Sequence, residues 1–232
     1  MTTERPLTAG SRGIFVLLIF LGTVLANTGC GPSAAEEKEA IQKLKDLGAL
    51  VIVTDGHASA LNLSNVEPKG NSIGDAMPWT TKLAHLQSFN AANSKISDAD
   101  LETVGKLRTI GDLNLQNTVV TDAGVAHLAK LDRVETLYLS GTPITGTALS
   151  TLGKLGSLKT LGISDTKTTG GYQGLAANAS LQRLIISNVE LTDADATAIS
   201  SLPALNHLDM DGATVSDAGL AEIRAKVKLV NH

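Results

Sequence analysis

Histidine and aspartate side chains near the C-terminus are of the types that bind metal ions. The stretch HLDMD places His207, Asp209 and Asp211 at alternating positions. In a strand, such residues share one face and lie about 7 Å apart. The ligands of one metal ion must lie closer together than that, so a single strand makes a poor metal site. We therefore predict that these three residues belong to a solvated surface.

The other four histidines are scattered along the sequence. His57 lies in a predicted hairpin turn, His85 before a strand, His127 in a helix and His232 at the C-terminus. This scatter argues against a metal cluster. With one cysteine, Cys30, the chain has neither an intramolecular disulfide nor a cysteine zinc cluster. The sequence therefore predicts no metal site and no cofactor.

Nucleophilic catalysis has little support. No G-x-S-x-G motif occurs. The glycine-rich stretch GGYQG at 170–174 is not followed by the Lys-Ser/Thr of a phosphate loop, and it predicts a loosened helix start instead. No set of acidic and basic residues converges, so we predict a protein that is not an enzyme, with an unrecognised hydrolase as the weakest alternative. A net charge of -4 without a basic block argues against binding to nucleic acid.

Four aspartates recur at equivalent places along the chain. Asp98, Asp122, Asp193 and Asp217 each follow a serine or threonine at a predicted helix start. Hydroxyls and carboxylates there stabilise the free N–H groups and the helix dipole. The alternating ligands of a calcium loop are absent from the sequence, so the pattern predicts helix capping.

The elements that carry these residues repeat with a nearly constant period. Strand leucines, or one phenylalanine, recur at intervals of 24, 24, 24, 23 and 24 residues, at Phe89, Leu113, Leu137, Leu161, Leu184 and Leu208. A weaker copy begins at Leu61, 28 residues before Phe89. Each copy has a short strand, a turn, an inward aliphatic residue and a capped helix. A period of this length predicts a solenoid, in which stacked copies bury one another.

This repeated order of elements resembles the leucine-rich repeat family, in particular the variety found in exported planctomycete-type proteins. In that variety the helices begin with TDAG-like sequences, here SDAD, TDAG, TDAD and SDAG. It is also close to the repeats of F-box proteins and of ribonuclease inhibitor. The resemblance covers Leu61 to Leu229. It implies an α/β, right-handed, curved solenoid with parallel strands on the concave side and helices on the convex side. Val189 and Ala213 depart from the family by lacking a polar turn side chain.

The N-terminus is similar to a bacterial export signal. Two arginines precede an apolar run at 13–26, which is shorter than the roughly 20 residues that a membrane-spanning helix needs. The stretch NTGC resembles a lipoprotein signal, although Asn27 stands where an aliphatic residue is usual. The resemblance implies a signal peptide at 1–29, a lipid on Cys30 and attachment to a membrane of the cell envelope. Ordinary secretion and an uncleaved anchor are the alternatives.

The remaining segments are predicted to close the two ends of the solenoid. The predicted divisions are an anchor and spacer at 30–35, an N-terminal cap at 36–60, the repeats at 61–229 and a tail at 230–232. Within the cap, a capping box predicts a helix at 34–47, and 49–53 pairs with 58–63 in a hairpin. At the C-terminal end, 226–230 is predicted to be a last short strand.

The outward residues of successive strands are the candidate binding surface. We predict that a protein or glycan partner contacts Asn114, Tyr138, Arg183, His207 and Asp209. Tyrosine and arginine are favoured at the centres of interfaces, so Tyr138 and Arg183 are the strongest candidates. A strip of six strands is only about 30 Å long, which is small for a standard interface. The alternative is a structural spacer that has no dedicated ligand.

Overall fold

The computed structural model describes residues 31–232; the predicted signal peptide (1–29) and Cys30 lie outside the described residues. These residues form one compact unit around a nine-stranded sheet whose spatial order follows the chain, from β1 to β9. Only β1 and β2 are antiparallel. Within 31–232, no helix combines the length and the apolar character needed to cross a membrane.

The strands are short, and helices connect most of them. The strands are β1 (Leu50–Thr54), β2 (His57–Asn62), β3 (Ser88–Asn90), β4 (Asp112–Asn114), β5 (Thr136–Tyr138), β6 (Thr160–Gly162), β7 (Arg183–Ile185), β8 (His207–Asp209) and β9 (Leu229–Asn231). The α-helices are α1 (Ala34–Asp46), α2 (Ile73–Thr80), α3 (Asp98–Val104), α4 (Asp122–His127), α5 (Gly146–Leu152), α6 (Asp193–Ser200) and α7 (Asp217–Lys226). Short 3₁₀ helices cover Glu67–Lys69, Leu128–Lys130 and Tyr172–Ala177.

The repeat register places the strand leucines side by side. Leu113 pairs with Leu137, and Leu137 pairs with Leu161, on adjacent parallel strands. All three are at most 1% exposed. The residue two positions after each of these leucines (Leu115, Leu139 and Ile163) is also buried, although the regular strand ends one residue before it. The chain therefore folds as the predicted leucine-rich repeat solenoid with one continuous aliphatic core.

The N-terminal elements form as their sequence predicts. Ser33 and Glu36 make both hydrogen bonds of the capping box that starts α1. Strands β1 and β2 pair across a turn in which Asp55 and Gly56 both have positive φ, 52° and 85°. Two positive φ values are the requirement of the tight hairpin turn whose twist matches that of the strands. β2 then begins the parallel sheet by pairing with β3.

The predicted last strand at 226–230 is displaced toward the C-terminus. Helix α7 continues to Lys226, and β9 covers Leu229–Asn231. Arg224 and Lys226 lie in the last turn of α7, where positive charge is stabilised by the helix dipole. The predicted end of the repeats at Leu229 consequently falls inside β9.

The short repeat is loosened at the glycine-rich stretch, as predicted. A 3₁₀ helix at Tyr172–Ala177 replaces the α-helix. A Cβ atom on Gly171 would collide with the backbone of Gly146 in the preceding repeat, so the two backbones meet where no side chain fits. Tyr172 is fully buried, and its hydroxyl lies 3.0 Å from Thr168 Oγ1. This bond satisfies the threonine that replaces the inward aliphatic residue of the other repeats.

The recurring aspartates occupy the first helical position, and Ser or Thr is the N-cap. The carboxylates of Asp98, Asp122 and Asp193 also bind the next repeat. Asp98 accepts hydrogen bonds from the backbone N–H and the hydroxyl of Thr121, at 2.8 and 2.6 Å. Asp122 accepts the same pair from Thr145, at 2.7 and 2.5 Å. The predicted helix-start role is confirmed, and each of these two aspartates also fixes the N-cap residue of its neighbour.

Candidate functional site

The concave face is formed by the outward side chains of β3 to β8, which stack in columns. One column contains Asn90, Asn114, Tyr138, Gly162, Ile185 and Asp209, and a second contains Asp112, Thr136, Thr160, Arg183 and His207. The register therefore places the outward residues of successive strands side by side. The five predicted contact residues fall into two groups, because β6 separates Tyr138 on β5 from Arg183 on β7.

The first group is the pair Asn114 and Tyr138, which are neighbours on β4 and β5. A Cβ atom on Gly162 would lie 2.6 Å from the Tyr138 ring, so the ring packs over this glycine. The tyrosine also lines a shallow depression of about 250 Å³ with Asn90, Asp112 and Asn114. Asn114 Oδ1 accepts the backbone N–H of Gln116 at 3.1 Å, so its carbonyl serves the local turn. Tyr138 is therefore the stronger candidate contact residue of the two.

The second group is a hydrogen-bonded cluster around Asp209. Arg183 approaches Asp209 Oδ2 through Nε at 3.1 Å and through Nη2 at 2.5 Å. His207 Nε2 lies 3.1 Å from Asp209 Oδ1, and the Asn231 amide donates to the same oxygen. Both carboxylate oxygens are thus occupied by protein groups. We call Arg183, His207, Asp209 and Asn231 the Asp209 cluster.

This cluster changes the chemistry of its carboxylate. Burial of Asp209 by itself raises the pKa of the side chain, but hydrogen bonds from Arg183, Asn231 and His207 together with the arginine charge lower it below its ordinary value. The carboxylate is only 15% exposed, while the Arg183 side chain is 45% exposed. The prediction that His207 and Asp209 are simply solvated is therefore wrong, because their side chains bend together and are fixed by Arg183. Asp211 is exposed, as predicted.

A second histidine–carboxylate cluster lies at the N-terminal cap. His57 Nδ1 is 2.8 Å and His85 Nδ1 is 3.9 Å from Glu37 Oε2. The two imidazole rings have centroids 3.9 Å apart and are tilted by 45°. The prediction that the histidines are too scattered to cluster is therefore wrong for these two. We call Glu37, His57 and His85 the Glu37 cluster.

No sequence signal announces the Glu37 cluster, because its members belong to three different elements. Glu37 is in the first turn of α1, His57 opens β2, and His85 lies in the segment before β3. The repeat period relates none of these positions. Asn231 was also missed as a member of the Asp209 cluster, since it lies in the predicted tail. The 24-residue period does not place it, because β9 pairs with β8 at a shorter offset that sets Asn231 beside Asp209.

The fold is shared with solved leucine-rich repeat structures. An internalin (inlF) from Listeria monocytogenes superposes with a TM-score of 0.55 at 21% identity, over 68% of this chain and 43% of the internalin. Internalin C2 from the same organism gives a TM-score of 0.57 at 22% identity, over 85% of this chain and 91% of its own. Pollen receptor kinase 3 gives 0.50 at 17% identity, over 72% and 79%.

These likenesses support the fold alone at such low identities. The chain spans less than half the length of the first internalin. No family model matches the sequence, and no curated protein does.

Proposed function

We propose that this chain is a non-enzymatic interaction module of a bacterial cell envelope, which binds a protein or glycan partner through its concave face. The internalins and the receptor kinase that share its fold are consistent with a binding role. Within the concave face, Tyr138 and the Asp209 cluster supply the aromatic and charged groups on a surface of otherwise mostly small residues.

The observation that carries the proposal is that both contact groups are held in place before any partner arrives. Gly162 leaves space for the Tyr138 ring, and Asp209 fixes the Arg183 guanidinium. Side chains already ordered in the free protein lose less conformational entropy on binding. More than half of the Arg183 side chain is covered, yet its outer part remains open to a partner.

Truncation of both contact groups tests this proposal. We expect Tyr138→Ala with Arg183→Ala to weaken partner binding about tenfold or more, because interface tyrosines and arginines commonly contribute above 1 kcal/mol each. Crosslinking in the native envelope with the wild-type chain identifies the partner, and titration of that partner against purified variants measures the loss. Arg224→Ala, an exposed arginine on α7, is the matched control and keeps wild-type affinity. Equal affinity of the double variant and the control would place the binding site elsewhere.

We further propose that 1–29 direct export and that Cys30 carries the lipid anchor. Two or three acyl chains anchor a protein stably, whereas one chain does not. Metabolic labelling with a fatty-acid analogue is expected to mark the wild-type chain and to leave Cys30→Ala unmarked. Equal labelling of the two would contradict the lipoprotein proposal and leave concave-face binding unaffected.

A second candidate function, a self-packing structural spacer, is favoured by the edge strand β1. Leu50, Ile52 and Val53 are 58%, 52% and 44% exposed there. An apolar strand at a sheet edge is a ready surface for pairing with another chain. If crosslinking recovers only further copies of this chain, and these are retained by the Tyr138 and Arg183 double variant, the spacer function replaces the interaction module.

A further inference from the structure

The Glu37 cluster brings three metal-ligand side chains together from distant parts of the sequence. Glu37, His57 and His85 each offer one ligand atom, and these atoms lie within 4.8 Å of one another. The cluster joins α1, the start of β2 and the segment that precedes β3. It lies at the cap, on the opposite end of the sheet from the Asp209 cluster, and the proposed partner-binding function does not use it.

The carboxylate of this cluster is oriented and nearly fully buried. Glu37 is 3% exposed, and its Oε1 accepts the backbone N–H of Ala58 at 3.0 Å. This bond leaves Oε2 facing the two imidazole rings. Hydrogen bonds of this kind to the second oxygen are what orient metal-binding carboxylates.

No fixed positive charge compensates this buried carboxylate. Among residues 31–232, the ion-pair partners of Glu37 are the two histidines, and the nearby Lys82 pairs with Glu36 at 3.3 Å. A buried carboxylate is costly unless it is paired or coordinates a metal. A cation bound between the rings and Oε2 would supply that charge.

We propose that the Glu37 cluster binds one Zn²⁺ ion through Glu37 Oε2, His57 Nδ1 and His85 Nδ1. A tetrahedral zinc ion with bonds of about 2.0–2.2 Å holds its ligand atoms about 3.3 Å apart. The two measured separations from Oε2, 2.8 and 3.9 Å, lie on either side of that value. Binding would therefore require the His85 imidazole to move toward Oε2 and His57 to move slightly away, with the ligand atoms of the cluster starting within 4.8 Å of one another.

The ligand chemistry selects zinc over the common hard cations. Calcium and magnesium prefer oxygen ligands, whereas two imidazoles and one carboxylate suit zinc. The His57 and His85 side chains are 42% and 57% exposed, so the fourth coordination position faces solvent and is open to water or to a carboxylate. The ion would tie the hairpin and the segment before β3 to α1, and it would thereby close the solenoid end.

Zinc titration of the full-length chain, purified in detergent and stripped of metal with a chelator, tests the proposal. Competition with a chromogenic zinc chelator is expected to report one high-affinity ion per chain. We expect His85→Ala to lower this affinity about tenfold or more, since loss of even an outer-shell partner has effects of that size. This variant is informative because the imidazole of His85 makes no hydrogen bond in the described residues, so its removal leaves the fold intact.

Two histidine controls define what would overturn the proposal. His127→Ala, on the exposed face of α4, and His207→Ala, in the Asp209 cluster, are expected to retain wild-type zinc affinity. Co²⁺ bound in place of zinc is expected to give the intense visible absorption of tetrahedral coordination, and His85→Ala to lose it. Absence of binding by the wild type, equal affinity in His85→Ala, or loss of binding in His207→Ala would each show that the Glu37 cluster is a hydrogen-bonded contact only.

Discussion

The two ends of the solenoid carry similar groups that are compensated in different ways. Each end has one shielded carboxylate in contact with histidine, Glu37 beside His57 and His85, and Asp209 beside His207. At the C-terminal end Arg183 also binds Asp209. At the N-terminal cap, no lysine or arginine of the described residues pairs with Glu37.

This difference decides which carboxylate is available to a cation. In the Asp209 cluster, Arg183, His207 and Asn231 already occupy both oxygens, so a metal ion would have to displace an arginine. In the Glu37 cluster, two imidazoles and one backbone N–H face the carboxylate, and none of these carries a permanent charge. Two clusters that each join a carboxylate to histidine therefore support different proposals, partner contact at one end and metal binding at the other.

The largest effect is expected from removal of the more deeply buried carboxylate. Glu37→Ala leaves the Ala58 N–H buried without a partner and removes the hydrogen bond between α1 and His57, so we expect the free energy of unfolding to fall by about 2–3 kcal/mol. Urea unfolding of the metal-free chain, followed by circular dichroism, measures this change.

The control for this variant is a glutamate two residues further along the same helix. Glu39 is exposed on α1, and its side chain makes no hydrogen bond within 31–232. We expect Glu39→Ala to change stability by less than about 0.5 kcal/mol, as is usual for surface substitutions. Similar losses for the two variants would mean that helix propensity, and not the buried carboxylate, sets the stability of the cap.

The two clusters also differ in how far the sequence predicts them. The period of 24 residues and the alternation of strand side chains place Arg183 beside His207 and Ile185 beside Asp209 without any structure. Arginine therefore lies diagonal to the aspartate, within reach of a long side chain. What the period leaves out is Asn231, since β9 pairs with β8 at an offset shorter than the 24-residue period, with Asn231 beside Asp209.

Contacts made outside the repeat register escape such reasoning. The capping box predicts α1, and the Asp-Gly turn predicts the hairpin, but the side of α1 that packs on the hairpin is set by tertiary packing of Ala40 and Leu44. Glu37 is buried because it shares the face of Ala40 and Leu44, three and seven positions later. Glutamate is rarely buried unless it is paired, so the residue type gives no sign of this burial. The two histidines that contact Glu37 come from segments with no fixed spacing to α1 in the sequence.

The same limit applies to the aspartates at helix starts. Their type and position predict caps, and Ser97, Thr121, Thr192 and Ser216 are those caps. The bond from Asp98 to Thr121 spans 23 residues, and only the stacking of consecutive turns brings the two together. A repeat period tells which residues are neighbours, while the direction of each side chain decides which neighbours bond.

A smaller and pH-dependent effect is expected from the Asp209 cluster, and it sharpens the contrast with Glu37. Because the pKa of Asp209 is lowered on folding, its ionised form stabilises the folded chain above the unfolded-state value of 3.8, and this contribution is lost as pH falls through the lower folded value. We expect Asp209→Asn to lower the free energy of unfolding by only about 1 kcal/mol at neutral pH, because the exposed Arg183 can be hydrated by water once it loses its partner. We expect this difference from wild type to become smaller below pH 3.8. Urea unfolding at neutral and acidic pH measures it, with Asp211→Asn as the exposed control that shows little change at either. If the difference in unfolding free energy stays constant through the acidic range, the shape of the Asp209 side chain, and not its charge, holds Arg183 in place. The contrast between the two ends of the solenoid would then have no electrostatic basis.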